Sequence, residues 1–299
     1  MPGRIILGSR GSDLARAQVR LVEQALLEAW PGLDVAIEII RTGGDESSAG
    51  RPIADRKAGR KGLFTREIEK ELIARRIDVA VHSAKDLPSE PLDALEVRAT
   101  LPRAATEDIL ISKDGGGLTT FPAGSVIATG SIRRQRQLAW IRPDLQIVDL
   151  RGNVPTRLRK LQENESWSGI ILARAGLDRL GVSVKGEILS REDFVPAGGQ
   201  GVIALQARRD DPGARKLIDA INHRATHLCL RAEREFLRLL NGDCDSPVGV
   251  QAEVEAGGLR LQAQVFEAPA VPPRVGTVKG SSDDPEALAT KLMKQLYGG

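Results

Sequence analysis

The clearest indication of the fold is the stretch Thr129–Lys160, TGSIRRQRQLAWIRPDLQIVDLRGNVPTRLRK. In it, an apolar strand-like segment gives way to a helix-like segment twice, first at Gly130 and again at Gly152. The second helix opens with Pro155, which is favoured in a first helical turn because no backbone N–H is needed there. Repeated strand–turn–helix units are typical of α/β domains, so the sequence predicts one here.

The same stretch contains seven arginines, opposed by only two aspartates. Four of them lie at or near the carboxyl ends of the strand-like segments, where α/β domains bind their ligands: Arg133, Arg134, Arg151 and Arg157. A helix start offers unpaired N–H groups there, and a guanidinium fork binds a carboxylate or phosphate through two hydrogen bonds. We therefore predict an anion site. The other three arginines fit a solvated helix face, the usual surroundings of surface arginines. They are Arg136, Arg142 and Arg159.

The bulk composition describes an ordinary globular protein. With 299 residues, 41% of them hydrophobic and 28% charged, the chain is expected to form two or three domains. The 43 basic residues nearly cancel the 40 acidic ones, and 3% of aromatic residues is too few for base-stacking surfaces. No apolar run is long enough to cross a membrane, and the N-terminal apolar segment is too short for a secretory signal. Two cysteines do not make a disulfide framework, so we expect a cytoplasmic protein.

The order of predicted elements indicates two α/β segments. The first has the element order βαβ-αβ, which implies a largely parallel sheet. These strands and helices are Arg4–Leu7, Asp13–Trp30, Asp34–Ile40, Phe64–Arg76 and Ile77–Val81, and a polar, Gly-rich loop lies at 41–62. Near residue 105 the alternation starts again, with strands at 108–112, 125–129, 146–150 and 169–173 and helices at 132–141 and from Pro155. The two segments therefore suggest related α/β halves facing each other across a cleft.

After residue 200 the pattern changes to a smaller α+β segment. A strand at 202–208 is followed by two helices, two strands and a closing helix: 213–222, 225–240, 248–254, 259–266 and 285–297. Gly199-x-Gly201-x-x-Ala204 matches a dinucleotide fingerprint, but we expect a strand rather than a helix after it, so we reject that interpretation. We divide the chain into a first α/β domain (1–100 and 200–217), a second (101–199) and a C-terminal α+β domain (218–299).

Asp86 and Cys244 are the side chains best suited to chemistry. Asp86 follows Ser83 and Lys85 just past a predicted strand end, where a carboxylate can stabilise a developing cation or move a proton. The alternative for Asp86 is a surface ion pair with Lys85. Cys244 lies in a turn-like segment between two aspartates that disfavour its thiolate, so a covalent anchoring role is favoured over thiol catalysis. Cys229 is expected to be a small core residue.

Two histidines that lie four residues apart, His223 and His227, are candidate metal ligands. They could share one helix face, but neither a Glu in the HExxH position nor a second cluster of cysteines and histidines accompanies them. We therefore expect ordinary helix-surface histidines and no metal.

Taken together, the motifs resemble the porphobilinogen deaminase family, also called hydroxymethylbilane synthases, over almost the whole chain. They are GSRGSDLARAQ (8–18), KGLFTREIE (61–69), DVAVHSAKDLP (78–88), ATGSIRRQRQL (128–138), DLRGNVPTRLRKL (149–161), IILARAGLDRLG (170–181), PAGGQG (196–201) and the Cys244 loop. Each motif alone is weak, whereas eight in the same order are highly specific.

The resemblance implies two periplasmic-binding-protein-like α/β domains with a central cleft and a small α+β C-terminal domain that carries Cys244. It implies a transferase that joins four porphobilinogen molecules head to tail, with loss of ammonia, to give hydroxymethylbilane. A dipyrromethane cofactor, bonded through a thioether to Cys244, would prime the reaction. We expect a monomer whose partner is the small-molecule substrate, with no nucleic acid and no membrane.

The resemblance also implies roles for individual residues. Asp86 matches the catalytic aspartate, which would stabilise positive charge on a pyrrole nitrogen as ammonia leaves. Each porphobilinogen carries an acetate and a propionate, so the growing product is a polyanion that suits bidentate arginines. The loop at 41–62 would be a mobile lid. The carboxylate-binding positions are matched by Arg10, Ser83, Lys85, Ser131, Arg133, Arg134, Arg151, Arg157 and Arg179.

Two other classes of function are alternatives to the transferase. An inactive, two-lobed anion-binding relative would need the arginines but neither Asp86 nor Cys244. A nucleic-acid binder would show a steep dependence of affinity on salt. The few aromatic residues and the formal net charge of only +3 make this second class the less favoured.

Overall fold

The computed structural model describes residues 3–41, 65–241, 246–268 and 271–298. Two predictions lie outside these residues, namely the loop at 42–62 and Cys244 with its two aspartate neighbours. Among the described helices, none combines the length and the apolar character needed to cross a membrane. The chain divides into two compact units: unit 1 is Met1–Ala104 with Gly201–Leu230, and unit 2 is Ala105–Gln200 with Arg231–Gly299.

Helices and strands alternate along most of the described chain. The helices are α1 Asp13–Ala29, α2 Arg66–Ile73, α3 Ile132–Ile141, α4 Val154–Glu163, α5 Arg174–Arg179, α6 Pro212–Asp219, α7 Arg224–Leu239 and α8 Pro285–Tyr297. The strands are β1 Arg4–Arg10, β2 Asp34–Ile40, β3 Val79–Ser83, β4 Leu95–Thr100, β5 Asp108–Ser112, β6 Val126–Ala128, β7 Gln146–Val148, β8 Trp167–Ala173, β9 Gly186–Ile188, β10 Ile203–Arg208, β11 Val248–Glu255, β12 Gly258–Val265 and β13 Arg274–Gly280. A 3-10 turn, Ala84–Asp86, follows β3.

Unit 1 is built on a five-stranded sheet in the order β2-β1-β3-β10-β4. β1 pairs in parallel with both β2 and β3, as the βαβ order predicted. β10 runs antiparallel to β3 and β4, so the sheet is mixed and the prediction of a largely parallel sheet is wrong at this edge. The chain reaches β10 only after passing through unit 2, so no helical crossover sets its direction. A strand, not a helix, follows Gly201, as expected.

α1 is fixed over this sheet at its start and along one face. It begins at Asp13 because the hydroxyl of Ser12 accepts a hydrogen bond from the Ala15 N–H at 3.3 Å. Its buried stripe packs into the core of unit 1 through Val19, Val22 and Leu26. Burying a side chain of this size contributes about 1.5–3 kcal/mol. The stripe therefore holds the first turn of α1 beside the end of β1.

α2 is shorter than the predicted helix Phe64–Arg76. It ends at Ile73, and Arg75 has a φ of 58°, a left-handed conformation that terminates helices. Two side chains on its buried face, Ile68 and Leu72, pack against the sheet. The helix therefore covers the sheet although its C-terminal end is cut short.

Unit 2 contains a second five-stranded sheet, in the order β7-β6-β8-β5-β9, and an antiparallel sheet in the order β11-β12-β13. β6 pairs in parallel with β7 and β8, whereas β5 runs antiparallel to β8 and β9. α8 approaches the smaller sheet so closely that a Cβ on Gly276 of β13 would lie 2.8 Å from Leu296. The mixed α/β class is confirmed, and the division into three domains stays a prediction.

Candidate active site

A polar pocket lies at one edge of the unit 1 sheet. β1 and β3 run parallel side by side, so their carboxyl ends come to the same edge. Arg10 ends β1 and Ser83 ends β3, and both line the pocket. Asp86 lines it too, together with Gln18 of α1 and Thr65, which precedes α2. Four elements thus converge on one concave surface that carries a guanidinium and a carboxylate.

Asp86 is held at this edge by the 3-10 turn that continues from β3. The turn is fastened at its start, where the Ala84 N–H donates to the carbonyl of Val202 at 3.0 Å. Asp86 is half-buried. Asp86 lines the pocket, whereas the ion pair with Lys85 stays the alternative prediction for this carboxylate. The structure therefore leaves the Asp86 carboxylate facing a pocket.

Ser83 is oriented by a residue that the sequence interpretation did not single out. Gln18, only 3% exposed, donates from its side-chain amide to the Ser83 hydroxyl at 2.8 Å. This bond joins α1 to the end of β3. The only sequence signal for Gln18 was its position at the end of the motif at 8–18. Lys85 lies between Ser83 and Asp86 in the chain, within the 3-10 turn.

The two adjacent arginines in the first turn of α3, Arg133 and Arg134, are buried inside unit 2. Their side chains are 3% and 6% exposed, and each lies 2.8 Å from a different carboxylate oxygen of Asp108, which is fully buried. Arg134 also donates to the carbonyl of Ile171, and Arg133 to that of Val195. Both guanidinium groups thus bind a protein carboxylate here, and their assignment to substrate carboxylates stays a prediction.

Two glutamines that sequence reasoning missed complete this cluster. Gln200 donates to the Oδ1 of Asp108 at 2.8 Å. Gln137 lies one turn after Arg133 on α3 and accepts a hydrogen bond from it at 2.8 Å. The glycines on either side of Gln200 have φ values of 75° and 81°, a conformation that favours glycine. The Gly-rich motif at 196–201 was therefore a signal for a special turn, although not for the partner of its glutamine.

Charge compensation in this cluster makes stability depend on pH. Burial by itself would raise the pKa of Asp108, but the two guanidinium groups hold it well below its ordinary value. The unfolded-state value is about 3.9. The contribution of this carboxylate to stability is therefore present above about pH 4 and is lost as the pH falls through the lower folded-state pKa.

Replacing Asp108 with asparagine should destabilise the protein by about 3–5 kcal/mol, because two buried guanidinium groups lose their counter-charge. Urea denaturation at neutral pH measures this loss. The matched control is Asp178→Asn, which removes an exposed pair with Arg174 at 3.6 Å and should cost less than about 1 kcal/mol. Equally small losses in both variants would contradict the role given to the Asp108 carboxylate.

The remaining predicted carboxylate positions of unit 2 lie at the ends of its helices. Ser131 precedes α3, and its side chain makes no capping hydrogen bond. Arg151 is exposed and pairs with an aspartate two residues earlier at 2.7 Å. Arg157 donates through Nε to a backbone carbonyl of the preceding turn at 2.7 Å. Arg179 ends α5, where burial lowers the pKa of its guanidinium.

Two of the three arginines assigned to a solvated helix face are only partly exposed. The Arg142 side chain is 19% exposed, pairs with Asp144 at 2.6 Å and donates to the carbonyl of Phe121 at 2.9 Å. Arg136 is half-buried, and its Nε is buried with no hydrogen-bond partner in the described chain. Arg159 is 62% exposed, as predicted. The partial burial of Arg142 was not predicted, because a local pattern does not show which distant carbonyls a long side chain reaches.

The other cysteine and histidine predictions concern α7 and the residues before it. Cys229 is 5% exposed, which confirms it as a core residue. The Nδ1 of His223 lies 2.8 Å from the Thr226 hydroxyl, and the Nδ1 of His227 lies 3.3 Å from the side chain of Asn222. Both rings therefore have local hydrogen bonds. Cys244 lies outside the described residues, so its surroundings are not described.

Two family models match this chain. The model described as porphobilinogen deaminase, dipyromethane cofactor binding domain, matches residues 5–216. The model described as porphobilinogen deaminase, C-terminal domain, matches residues 227–298. Together they account for most of the chain, and the first match contains the pocket of unit 1.

Curated relatives and solved structures are also similar to the chain. The porphobilinogen deaminase of Moorella thermoacetica is 43% identical over 293 residues, which cover 98% of this chain and 92% of the relative. That of Roseiflexus sp. is 42% identical over 297 residues, covering 99% and 96%. The methionine binding protein MetQ covers 74% of this chain and 91% of its own, with a TM-score of 0.45 and 13% identity. The aliphatic sulphonate binding protein SsuA from Escherichia coli covers 81% and 71%, with a TM-score of 0.42 and 14% identity.

Proposed function

This chain belongs to the porphobilinogen deaminase family, and from that premise we propose that it joins four porphobilinogen molecules head to tail to give hydroxymethylbilane. It is an enzyme of that family and carries the family's dipyrromethane cofactor-binding domain. The observation that carries the proposal is that Asp86, Arg10 and Ser83 line one pocket. We propose in addition that the cofactor is attached at Cys244 and that the enzyme is a cytoplasmic monomer.

The side chains at the pocket fit a dipyrromethane. A pyrrole ring presents an N–H donor, and the rings of this cofactor, like the substrate, carry carboxylate side chains. The pocket offers the complementary groups, namely the Asp86 carboxylate for a donor and the Arg10 guanidinium for a carboxylate. Ser83, whose hydroxyl is oriented by Gln18, adds a neutral partner. The arginines of unit 2 stay proposed carboxylate-binding positions.

The reaction explains why an acid and several cations are needed. Each addition breaks the bond between the aminomethyl carbon and the nitrogen of one porphobilinogen. It forms a carbon–carbon bond to the free α-carbon of the receiving ring, and the proton displaced from that carbon leaves with the ammonia as ammonium. When bound, the dipyrromethane supplies the first receiving ring. Positive charge develops on pyrrole nitrogen, and we assign its stabilisation to the Asp86 carboxylate, which also helps to move the proton.

Turnover of porphobilinogen by the purified protein tests this function. The expected result is four substrate molecules consumed and four ammonia molecules released for each hydroxymethylbilane. Binding of porphobilinogen without any release of ammonia would favour the alternative, an inactive anion-binding relative.

Replacing Arg10 with glutamine should lower kcat/KM for porphobilinogen by about 10- to 100-fold, because a hydrogen bond to a charged group contributes about 1.5–3 kcal/mol. Steady-state kinetics measure the effect. The matched control is Arg4→Gln at the other end of β1, where the side chain is 64% exposed and lies 3.5 Å from Asp34. Equal kinetics for the two variants would remove Arg10 from the carboxylate-binding set.

A further inference from the structure

A chain of three buried polar side chains reaches the pocket of unit 1. It consists of Glu69 of α2, Gln206 of β10 and His82 of β3, which are 5%, 2% and 5% exposed. The Gln206 amide donates through Nε2 to the Oε1 of Glu69 at 3.0 Å. The Nε2 of His82 lies 3.1 Å from the Oε1 of Gln206. Hydrogen-bonded polar side chains in a buried setting hold their elements in one arrangement, because an unpaired polar group would be costly there.

These hydrogen bonds determine where the imidazole of His82 carries its proton. The carboxylate oxygen of Glu69 accepts a hydrogen bond here, because the amide nitrogen of Gln206 donates to it. The amide oxygen of Gln206 then faces His82, and this oxygen also only accepts. The hydrogen bond to Gln206 therefore selects the tautomer of His82 that has its hydrogen on Nε2, the atom that donates.

The same chain joins two walls of the pocket. His82 and Thr65 both line it. Glu69 lies one turn along α2 from Thr65, and its N–H donates to the Thr65 carbonyl at 2.8 Å. From Thr65, the path through Glu69 and Gln206 ends at His82, which directly precedes the strand end and the turn that carry Ser83 and Asp86. Two hydrogen bonds made by one glutamine thus link the two walls.

The backbone at Gln206 directs its side chain toward this path. Ala204 lies opposite His82 in the β3–β10 pairing, so Gln206, two residues farther on, lies on the same face of the sheet. The pairing of β10 with β4 shifts its register between Leu205 and Gln206. Such irregularities re-aim side chains and are over-represented beside active sites.

We propose that His82 is a positioning residue of this pocket. Through its Nε2 hydrogen bond, the chain Glu69–Gln206–His82 fixes the end of β3, and with it the turn carrying Asp86, relative to Thr65. The imidazole acts through Gln206 and not by contact with the substrate. The kinetic part of this inference rests on the proposed function, whereas the hydrogen-bonding part does not.

The test is Gln206→Met, which nearly keeps the shape of the side chain and removes both hydrogen bonds. We expect kcat for porphobilinogen to fall by about 10- to 100-fold through misplacement of the turn, with KM little changed because Arg10 on β1 is untouched. In 15N NMR of the full-length protein, which has 3 histidines, the chemical shifts of the His82 Nε2–H group should change, because its acceptor on Gln206 is gone. The matched control is Gln24→Met, which removes an exposed Gln-to-Glu28 hydrogen bond of 2.9 Å and should alter neither quantity.

His82→Gln is the second variant, and it decides the matter even if Gln206→Met does not fold. Its amide N–H can replace the Nε2–H of the ring, so kcat should stay close to that of the unaltered enzyme. A loss as severe as that expected for Asp86→Asn would overturn the positioning role and indicate direct chemistry by the imidazole. Unchanged shifts of the His82 Nε2–H group in Gln206→Met would overturn the hydrogen bond between His82 and Gln206. If the unaltered protein has the Nε2–H form of His82 but turns over no porphobilinogen, the proposed function is contradicted, whereas the hydrogen bonds that join Glu69, Gln206 and His82 are not.

Discussion

Replacing Asp86 with asparagine is expected to lower kcat by about 100- to 1000-fold, the loss typical of removing one group that stabilises transition-state charge. Asparagine keeps the shape of the side chain but cannot supply a negative charge to a cationic pyrrole. Asp86 is half-buried, and electrostatic interactions weaken less in such surroundings than in open water. Steady-state turnover measures the loss, and the intact mass should show that the dipyrromethane is still attached.

The matched control for this variant is Asp93→Asn. Asp93 belongs to the same unit, but it is exposed and does not line the pocket. Its replacement should leave kcat unchanged, which separates the loss of one carboxylate at the pocket from a general change in charge. A nearly normal kcat for Asp86→Asn would mean that another group stabilises the positive charge.

Replacing Cys244 with serine is expected to abolish covalent attachment of the dipyrromethane. A thiolate is the nucleophile in cysteine chemistry, and a serine hydroxyl without an activating base is a weak substitute. The intact mass of the unaltered protein should exceed that of the encoded chain by one dipyrromethane, whereas the serine variant should have the encoded mass. The unaltered protein should also give the colour reaction of pyrroles with an aldehyde reagent, and the variant should not.

Cys229→Ala is the control for this experiment. Cys229 is buried at 5% exposure, so its replacement should leave the added mass in place. If the serine variant at position 244 keeps the added mass, the attachment point is elsewhere. If the unaltered protein has the encoded mass even after incubation with porphobilinogen, covalent attachment itself is contradicted.

Local periodicity predicted the elements whose apolar pattern is strong. The bounds 108–112, 132–141 and 285–297 agree with β5, α3 and α8. β4, β9, β13 and α5 were not predicted. β9 has only three residues, and β13 buries only Gly276 and Val278, so their apolar signal is short. In β4, charged residues interrupt the apolar pattern, and its place in the sheet depends on β10, far away in the chain.

The candidate site shows the same limit. Asp86 could be predicted because it follows a strand end, whereas Arg10 was predicted from the family resemblance; both line the pocket. The hydrogen-bond partners of Asp108 and Gln206 could not be predicted, because they are distant in sequence. Gln200 is 92 residues from Asp108, and Glu69 is 137 residues from Gln206. For the same reason, the sequence could not indicate that Arg133 and Arg134 bind a buried carboxylate. A charge pattern reports which groups are present, but not which distant group each one meets.

The position of β10 between β3 and β4 has a consequence for biosynthesis. Both strands lie in the first third of the chain, yet the strand that pairs with each of them ends at Arg208. While the ribosome is still adding the intervening hundred or so residues, the facing edges of β3 and β4 have no native neighbour. Unpaired strand edges are templates for aggregation, and pairings between distant segments form slowly. A nascent or truncated polypeptide that stops before residue 203 therefore has an incomplete first sheet and is prone to aggregation.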